Sequence, residues 1–281
     1  MHNGGITIQL KSGAYQAKIV TVGAGLAELT RHGRHVVIPH KPEEMPLAHL
    51  GKVLIPWPNR ITNGCYQHHG KSLQLAVNDP ISHTAIHGLL AWRDWQINHQ
   101  SASEVSLTIF LPPSYGYPFA LISEVIYRLE ATCGLHVFIH TKNVGDETAP
   151  YGAGAHPYLT CNLQRIDDCE LTLPVCDVIS HGERDFATPR FIAQTTLDHT
   201  FKAPSPEAEW EVRLTNPAQK MSTYLRSHQP WLQVYSGEKL ARRGLAVEPM
   251  TCPPDAFNSG VSLIHLAPGE THQMHFLIGS E

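Results

Sequence analysis

The 281-residue sequence has little charge and no long apolar run, and each shortage excludes a class of protein. Charged side chains make up 16% of the residues, and the formal net charge is −4. The chain therefore offers no basic surface that would attract a nucleic acid backbone or an anionic lipid. A stretch of about 18 consecutive apolar residues, the length that crosses a bilayer, is also missing. We expect neither nucleic acid nor a membrane among its partners.

Cysteine is scarce as well and is not arranged in pairs. No C-x-x-C spacing occurs, which disfavours a disulfide framework or a zinc knuckle, and Cys65, His68 and His69 do not make a closed set of four metal ligands. The opening segment MHNGGITIQLKSG lacks the basic start and apolar core of a secretory signal. We expect a cytoplasmic protein with reduced, mostly buried thiols: Cys65, Cys133, Cys161, Cys169, Cys176 and Cys252.

What the sequence does contain is a regular alternation of apolar and polar residues, which is typical of strands with one buried face. In the segment EVSLTIFL, Val105, Leu107 and Ile109 share one face. Two longer alternating segments flank Cys133 and Gly134, and the glycine between them predicts a hairpin. The alternation returns in WEVRLT and in the last segment, ETHQMHFLIG. Hydrophobic residues make up 42% of the chain, which is enough for a sizeable core.

Helical periodicity is absent, since no stretch keeps apolar residues at i, i+3, i+4 and i+7 over ten or more positions. The 21 prolines and 21 glycines fall mostly between the predicted strands, where they serve as turn residues. Neither a linker of low complexity nor an internal repeat is visible. We therefore predict an all-β, antiparallel protein in which residues 1–281 form a single domain.

Three loop-like segments hold residues that could carry chemistry. Small residues precede His156 in GAGAHPY, where they let a backbone or a ligand approach closely. Asn59 and Arg60 in PWPNRITNG present planar groups that donate hydrogen bonds to hydroxyls. His87 stands before an aromatic pair, Trp92 and Trp95, at least one of which we expect in the core. Taken singly, each segment is equally compatible with an ordinary turn.

A fourth segment, LAVEPMTCPPDAFNSG, places a carboxylate at the end of an apolar strand. We expect Pro249 to stop this strand directly after Glu248. Partial burial at a strand end raises the pKa of a carboxyl group and makes it a better base near neutral pH. An exposed glutamate at the end of a strand is the alternative.

In order and spacing, the segments NRITNG, IHGLLAW, GAGAHPYLT, TTLDHTF and VEPMTCPPDAFN resemble the aldose 1-epimerases, also called galactose mutarotases. The segments GAGLAEL and WLQVYSG are similar to others of that family, so the resemblance runs from about residue 20 to the end. It implies a large antiparallel β-sandwich, the galactose mutarotase-like supersandwich. It also implies interconversion of the α and β anomers of free aldohexoses, without a metal or organic cofactor. The implied partner is a small sugar.

The resemblance also implies roles for individual residues. Glu248 resembles the general base and His156 the general acid. The residues that would contact the sugar are Asn59, Arg60, His87 and Asp198, with Trp92 or Tyr158 as an apolar floor.

Anomerisation needs this pair of groups because one proton leaves the C1 hydroxyl while another reaches the ring oxygen. We expect the base and the acid on different sides of the anomeric carbon, with a nearby carboxylate keeping His156 protonated. The small residues before His156 would admit the sugar ring. The chain departs from the family pattern at Leu159 and in PWPNRI, where Trp57 and two prolines are expected to reshape the floor of the pocket.

Three alternatives remain open at this stage. A hexose 6-phosphate epimerase would need further cations, for which Arg93, or Arg242 with Arg243, are candidates. A sugar-binding protein without activity could use the same fold. A glycosidase would use two carboxylates, Asp198 and Glu248. The natural sugar, and whether the protein is a monomer or a homodimer, stay undecided.

Overall fold

Antiparallel strands make up most of the structure, a computed structural model that describes residues 2–174, 177–178 (backbone), 188–193, 195–203, 205 and 208–281. In chain order the strands are β1 Thr7–Ser12, β2 Tyr15–Val20, β3 Gly25–Arg31, β4 Arg34–His35, β5 Val53–Leu54, β6 Arg60–Thr62, β7 Cys65–His68, β8 Lys71–Gln74, β9 Thr84–Ile86, β10 Gln96–Gln100, β11 Glu104–Leu111, β12 Leu121–Glu130, β13 Gly134–Asn143, β14 Ala149–Tyr151, β15 Gly154–Ala155, β16 Tyr158–Leu159, β17 Glu170–Thr172, β18 Asp177–Val178, β19 Arg190–Phe191, β20 Asp198–Lys202, β21 Trp210–Asn216, β22 Met221–Ser227, β23 Trp231–Tyr235, β24 Leu245–Met250, β25 Ile264–Leu266 and β26 Thr271–Ser280.

Helix is confined to short turns within the described ranges. Single 3₁₀ turns lie at Leu47–His49, Ile166–Asp168 and Glu238–Leu240, and α1 spans only Ala256–Ser259. No helix in this part of the chain is long and apolar enough to cross a membrane. The all-β prediction is therefore confirmed.

The larger sheet has, among the described residues, the strand order β10-β11-β12-β13-β26-β22-β21-β17-β19. Strands β12 and β13 form the hairpin predicted around Cys133 and Gly134, with Glu130 paired to Gly134. Every second side chain of this hairpin is buried, including Val125, Leu129 and Val137. The alternation read from the sequence thus marks the face that packs into the core.

A second sheet carries the functional side chains. Its order is β18-β20-β23-β24-β15-β5, with β16 also paired to β24. Leu232, Val234 and Val247 point from this sheet into the same apolar cluster that the first sheet fills. The two sheets therefore share one core, as in a β-sandwich. One large apolar cluster runs from Ile8 to Ile278 and supports the predicted one-domain organisation, which stays a prediction.

The cysteines fit the predicted reduced state where the structure describes them. Cys161, Cys169 and Cys252 are buried, and Cys65 and Cys133 are half-buried; all five are free thiols. Cys176 lies outside the described residues.

Pro249 does not stop its strand, contrary to the prediction. Strand β24 continues to Met250, and Leu232 of β23 pairs with Pro249. On its other side β24 pairs with Gly154 of β15 and with Tyr158 of β16. Between those two positions the neighbouring chain leaves the ladder. Proline has no backbone N–H to donate. It fits this gap because the neighbouring chain offers no ladder partner there.

The small residues before His156 also serve a different purpose from the predicted one. A Cβ atom on Gly154 would lie 3.0 Å from Pro58 Cβ and 3.0 Å from the Pro249 oxygen, and one on Gly152 would lie 2.5 Å from Cys252 Sγ. The space beside these glycines is thus filled by protein, not by a ligand. Glycine permits the close packing of β15 against its neighbours.

Replacing Gly154 by alanine is therefore expected to destabilise the fold by about 1–3 kcal/mol through overpacking, while the KM for the sugar that the resemblance implies stays unchanged. The control is Gly145→Ala, because a Cβ there would be no closer than 3.4 Å to any neighbour; we expect a change within about 0.5 kcal/mol. Urea denaturation measures both. A raised KM in a fully stable Gly154→Ala protein would restore the original interpretation.

Candidate active site

A cleft of about 380 Å³ lies over the second sheet. Seven of the eight residues predicted for a site line it: Asn59, Arg60, His87, His156, Tyr158, Asp198 and Glu248. The eighth, Trp92, does not. It is 39% exposed, and its ring lies behind His49 at 5.4 Å between centroids. Trp95 is in the core, as expected of one of the two tryptophans.

The strand register explains why residues so far apart in sequence meet. Thr200 of β20 pairs with Gln233 of β23, and Gln233 pairs with Glu248 of β24. Residues directly opposite each other in paired strands point to the same face. Asp198, which is two positions from Thr200, shares that face. One row of paired residues thus forms the polar floor of the cleft, while the alternate residues of the same strands point into the core.

His156 occupies the interruption between β15 and β16. Its backbone N–H donates to the Lys52 carbonyl at 2.9 Å, and its own carbonyl accepts from the Gly51 N–H at 2.9 Å. Both contacts fix the chain where it leaves the ladder. The imidazole then lies over β24, with its Nε2 3.3 Å from Glu248 Oε1. Both side chains are almost completely buried.

Burial acts on this pair in opposite directions. It raises the pKa of Glu248 well above its usual range, an effect strengthened by the charge of Asp198 and expected from the sequence. It lowers the pKa of His156, with a further contribution from His49. Desolvation is the largest influence on the pKa of His156, so burial works against the expectation that a carboxylate keeps this imidazole protonated. Both shifts favour the neutral forms of the pair, the carboxylic acid and the uncharged imidazole.

His87 is held as a neutral hydrogen-bond donor. The Asn59 backbone N–H donates to its Nδ1 at 3.2 Å, so the ring proton must be on Nε2. Burial, followed by the charges of His156 and His49, lowers the pKa of His87 well below its usual value. Asn59 and His87 both have positive φ angles, 54° and 63°. Such backbone conformations are uncommon and concentrate at functional sites.

The same contact bears on metal binding. Donor atoms of His87, His156 and Glu248 lie within 4.8 Å of one another. However, the Nδ1 lone pair of His87 is used by the Asn59 amide and its Nε2 carries the proton, so this ring offers no free lone pair to a metal. The donor set does not suit a metal ion, and the absence of a metal cofactor stays a prediction.

The polar groups of the cleft form two networks, one on each side. Arg60 Nη1 donates to Asn59 Oδ1 at 3.2 Å, and its Nε is 4.0 Å from Asp79. On the opposite side, Gln233 Nε2 donates to Asp198 at 2.6 Å, and the Thr200 hydroxyl donates to the Gln233 side-chain oxygen. Donors and acceptors are therefore oriented before any ligand arrives.

Tyr158 lines the cleft through its ring, which stacks on His156 at 5.1 Å between centroids. Its hydroxyl donates to the Ala48 carbonyl at 3.2 Å. Trp57 does not reshape the floor as expected; it is buried and donates to the Ala85 carbonyl. Its neighbour Pro58 packs against Gly154.

Several residues that line the cleft were not predicted from the sequence: His49, Asp79, Gln233, Tyr235 and Lys239. The alternation in WLQVY, which places Gln233 and Tyr235 on one face, was a usable signal. His49 had none, because it is one of 19 histidines and stands outside every motif. Its ring lies 4.6 Å from that of His87, and burial together with Lys239 and Lys52 lowers its pKa to about 4.

The cleft of this all-β sandwich holds a buried histidine and carboxyl among polar groups, an arrangement that suits acid–base chemistry on a polar ligand. Comparison with known sequences gives the family. The family model described as aldose 1-epimerase matches residues 7–279. The chain belongs to the aldose 1-epimerase family.

Individual relatives support this assignment. The chain is 56% identical to the uncharacterized protein YihR of Escherichia coli (strain K12), over 99% of this chain and 94% of that protein. A crystal structure of the GalM/aldose epimerase homologue from C. elegans has a TM-score of 0.88 at 17% identity, covering 98% of both chains. Galactose 1-epimerase from Lactobacillus acidophilus has a TM-score of 0.81 at 19% identity, covering 98% of this chain and 94% of that one. The predicted galactose mutarotase-like fold is confirmed.

The tautomer of His87 can be measured directly. We expect ¹⁵N NMR shifts of an unprotonated Nδ1 and a protonated Nε2, unchanged as the pH falls through about 6.5, where a free imidazole titrates. The variant His87→Gln, which lacks these signals, identifies them. A ring that gains its second proton near pH 6.5 would contradict the assigned hydrogen bond.

Proposed function

We propose that the protein is an aldose 1-epimerase that interconverts the α and β anomers of free aldohexoses by general acid–base ring opening and reclosure. The observation that carries the proposal is the 3.3 Å contact between His156 and Glu248 in the polar cleft. Family and fold are those of carbohydrate epimerases. The choice of sugar and the roles of single residues are inferred from geometry.

The short distance between His156 and Glu248 suits the positions of the two sugar oxygens that exchange protons. The C1 hydroxyl oxygen and the ring oxygen are bonded to the same carbon, so the groups that exchange protons with them must also be close together. Sequence analysis placed acid and base on different sides of the anomeric carbon, whereas His156 and Glu248 lie side by side. A sugar presenting its C1 edge to the pair brings each oxygen within reach of one group.

The proton count of the pair also matches the reaction. Ring opening requires one group that accepts the C1 hydroxyl proton and one that delivers a proton to the ring oxygen. The pair holds a single proton between them, so with the proton moved to His156, Glu248 is the empty base. Glu248 takes the hydroxyl proton, His156 protonates the ring oxygen, and the C1–O5 bond breaks. Rotation about C1–C2 and the reverse transfers then close the other anomer.

Recognition of a neutral sugar must come from hydrogen bonds and an apolar surface. Asn59, Arg60 and His87 present donors on one side of the cleft, and the carboxylate of Asp198 accepts on the other. The ring of Tyr158 supplies an apolar surface beside His156. Glu248 Oε2 has no hydrogen-bond partner among the described residues, which leaves it to accept a substrate hydroxyl.

Action on hexose 6-phosphates is the second candidate, favoured by Lys239. This exposed side chain lines the cleft and makes no ion pair among the described residues. The cations considered from sequence serve less well, since Arg242 is bound to Asp167 at 2.9 Å and to Glu238 at 3.0 Å. A glycosidase is disfavoured, because the close partner of Glu248 is an imidazole and not a second carboxylate.

Saturation-exchange NMR at the anomeric proton tests the proposal on a panel of free aldohexoses and one hexose 6-phosphate. We expect exchange well above the rate in buffer, and a fall in kcat of about 10²- to 10⁴-fold in Glu248→Gln or His156→Asn. Each variant removes one proton-transferring group; Glu248→Gln keeps the shape of the side chain, and His156→Asn keeps a smaller planar polar group.

The matched controls remove a second histidine–glutamate contact, His140 with Glu124 at 3.5 Å, which lies outside the cleft. Glu124→Gln and His140→Asn should keep the full rate. If no sugar shows exchange above the rate in buffer, the epimerase proposal is rejected and a sugar-binding protein without activity remains. Near wild-type rates in Glu248→Gln or His156→Asn would reject the assigned roles, and activity limited to the phosphorylated sugar would establish the second candidate.

The pKa shifts predict the pH profile of kcat/KM. A second proton on the pair requires protonation of His156, whose pKa is lowered, and loss of the first requires ionisation of Glu248, whose pKa is raised. The lower limit of the one-proton state therefore lies below about pH 6.5, the usual pKa of histidine, and its upper limit lies above about pH 4.3, the usual pKa of glutamate. Rates measured with constant ionic strength should not fall as the pH drops through about 6.5, and a fall with its half-point there would show that an ordinary imidazole controls activity.

A further inference from the structure

A second group of chemically active side chains lies on the β12–β13 hairpin, which belongs to the larger sheet and not to the one beneath the cleft. Glu130 ends β12, Cys133 is the last residue of the turn, and His136 is the third residue of β13. Cys133 Sγ is 3.3 Å from His136 Nε2 and 3.4 Å from Glu130 Oε2. The Glu130 oxygen is 3.8 Å from the same imidazole nitrogen. Three different donor atoms thus converge on one point.

We propose that Glu130, Cys133 and His136 form a binding site for a Zn²⁺-like transition metal ion. Zinc binds thiolate sulfur at about 2.3 Å, imidazole nitrogen at about 2.0–2.1 Å and carboxylate oxygen at about 2.0–2.2 Å, with tetrahedral angles. Those bond lengths place neighbouring ligand atoms about 3.3–3.6 Å apart. The three observed separations are close to this range, so side-chain movements of a few tenths of an ångström complete the geometry.

The histidine is already oriented for metal binding by a neighbour. His136 Nδ1 lies 3.0 Å from His275 Nε2, and the two rings stack at 5.2 Å between centroids. If Nδ1–H donates to His275, the lone pair of Nε2 points toward Cys133 and Glu130. Metal-bound histidines commonly donate their other ring N–H in this way, which fixes the ring and its tautomer. His275 is therefore a positioning residue.

The backbone beneath the site is held in place. The turn is closed by the Glu130–Gly134 pair between two long strands, and the Cys133 carbonyl accepts from the Tyr224 hydroxyl at 3.1 Å. Sites on such strands are more rigid than sites on free loops. The ligand side chains are half-buried or exposed, so an ion can reach them and a water can complete the coordination.

Charge balance fits a divalent ion. A thiolate and a carboxylate together carry two negative charges, and a neutral imidazole adds none, so the complex with Zn²⁺ is neutral. Binding transfers the Cys133 thiol proton to solvent. The sequence pattern is E-x-x-C-x-x-H, which a search for paired cysteines does not detect.

Titration of the metal-free protein with Co²⁺ and Zn²⁺ tests the site. We expect one Co²⁺ per chain with a thiolate-to-cobalt charge-transfer band, displaced by Zn²⁺. Cys133→Ser should abolish the band, and Glu130→Gln and His136→Gln should weaken Zn²⁺ binding at least 10-fold. Loss of the positioning contact in His275→Phe should weaken it about 10- to 100-fold.

Cys65→Ser is the matched control, because Cys65 is also half-buried and lies near His68 and His69 in sequence. It should keep the band and the affinity. A wild-type protein without a thiolate-to-cobalt band would overturn the proposal, and so would a band that survives Cys133→Ser or disappears in Cys65→Ser. Thermal unfolding of each variant without metal confirms that the fold is retained.

Discussion

The buried contact between His156 and Glu248 is the interaction on which the rest of the site depends. Two ionisable groups removed from water are costly unless their charges are compensated. Here burial shifts both pKa values toward the neutral forms, so one shared proton satisfies the pair without a net charge. The protonation state that minimises the cost of burial also leaves one group of the pair protonated and the other free to accept a proton. Stability and the proposed chemistry therefore favour the same protonation state.

The sheet is built around this contact. Strand β24 runs uninterrupted beneath the site, while its neighbour is divided into β15 and β16, and His156 occupies the division. A continuous neighbouring strand would bury its alternate side chains and leave no room for an imidazole over Glu248. The uncommon backbone angles of Asn59 and His87 lie at the same cleft. The pairing of β6 with β9 directly beside them holds these two positions in place.

Much of the fold could be predicted because burial in a strand has a period of two. The hairpin at Cys133 and Gly134, and the buried face of Val105 and Leu107, follow from that period alone. The errors occurred where a residue was interpreted without its neighbours. Pro249 was expected to end its strand. The strand continues because the neighbouring chain needs no hydrogen bond from this position. The small residues before His156 predict space for a ligand, whereas Gly154 accommodates Pro58.

By itself the sequence determined the kinds of group available and the strands that carry them, since both depend on local composition and alternation. Family resemblance identified seven of the residues that line the cleft. Only the tertiary structure decided that His156 and Glu248 touch, that His49 and Gln233 join them, and that Trp92 does not. Cross-strand register and the break between β15 and β16 set these contacts. Neither is encoded at any single position, because both arise from pairing between segments far apart in the chain.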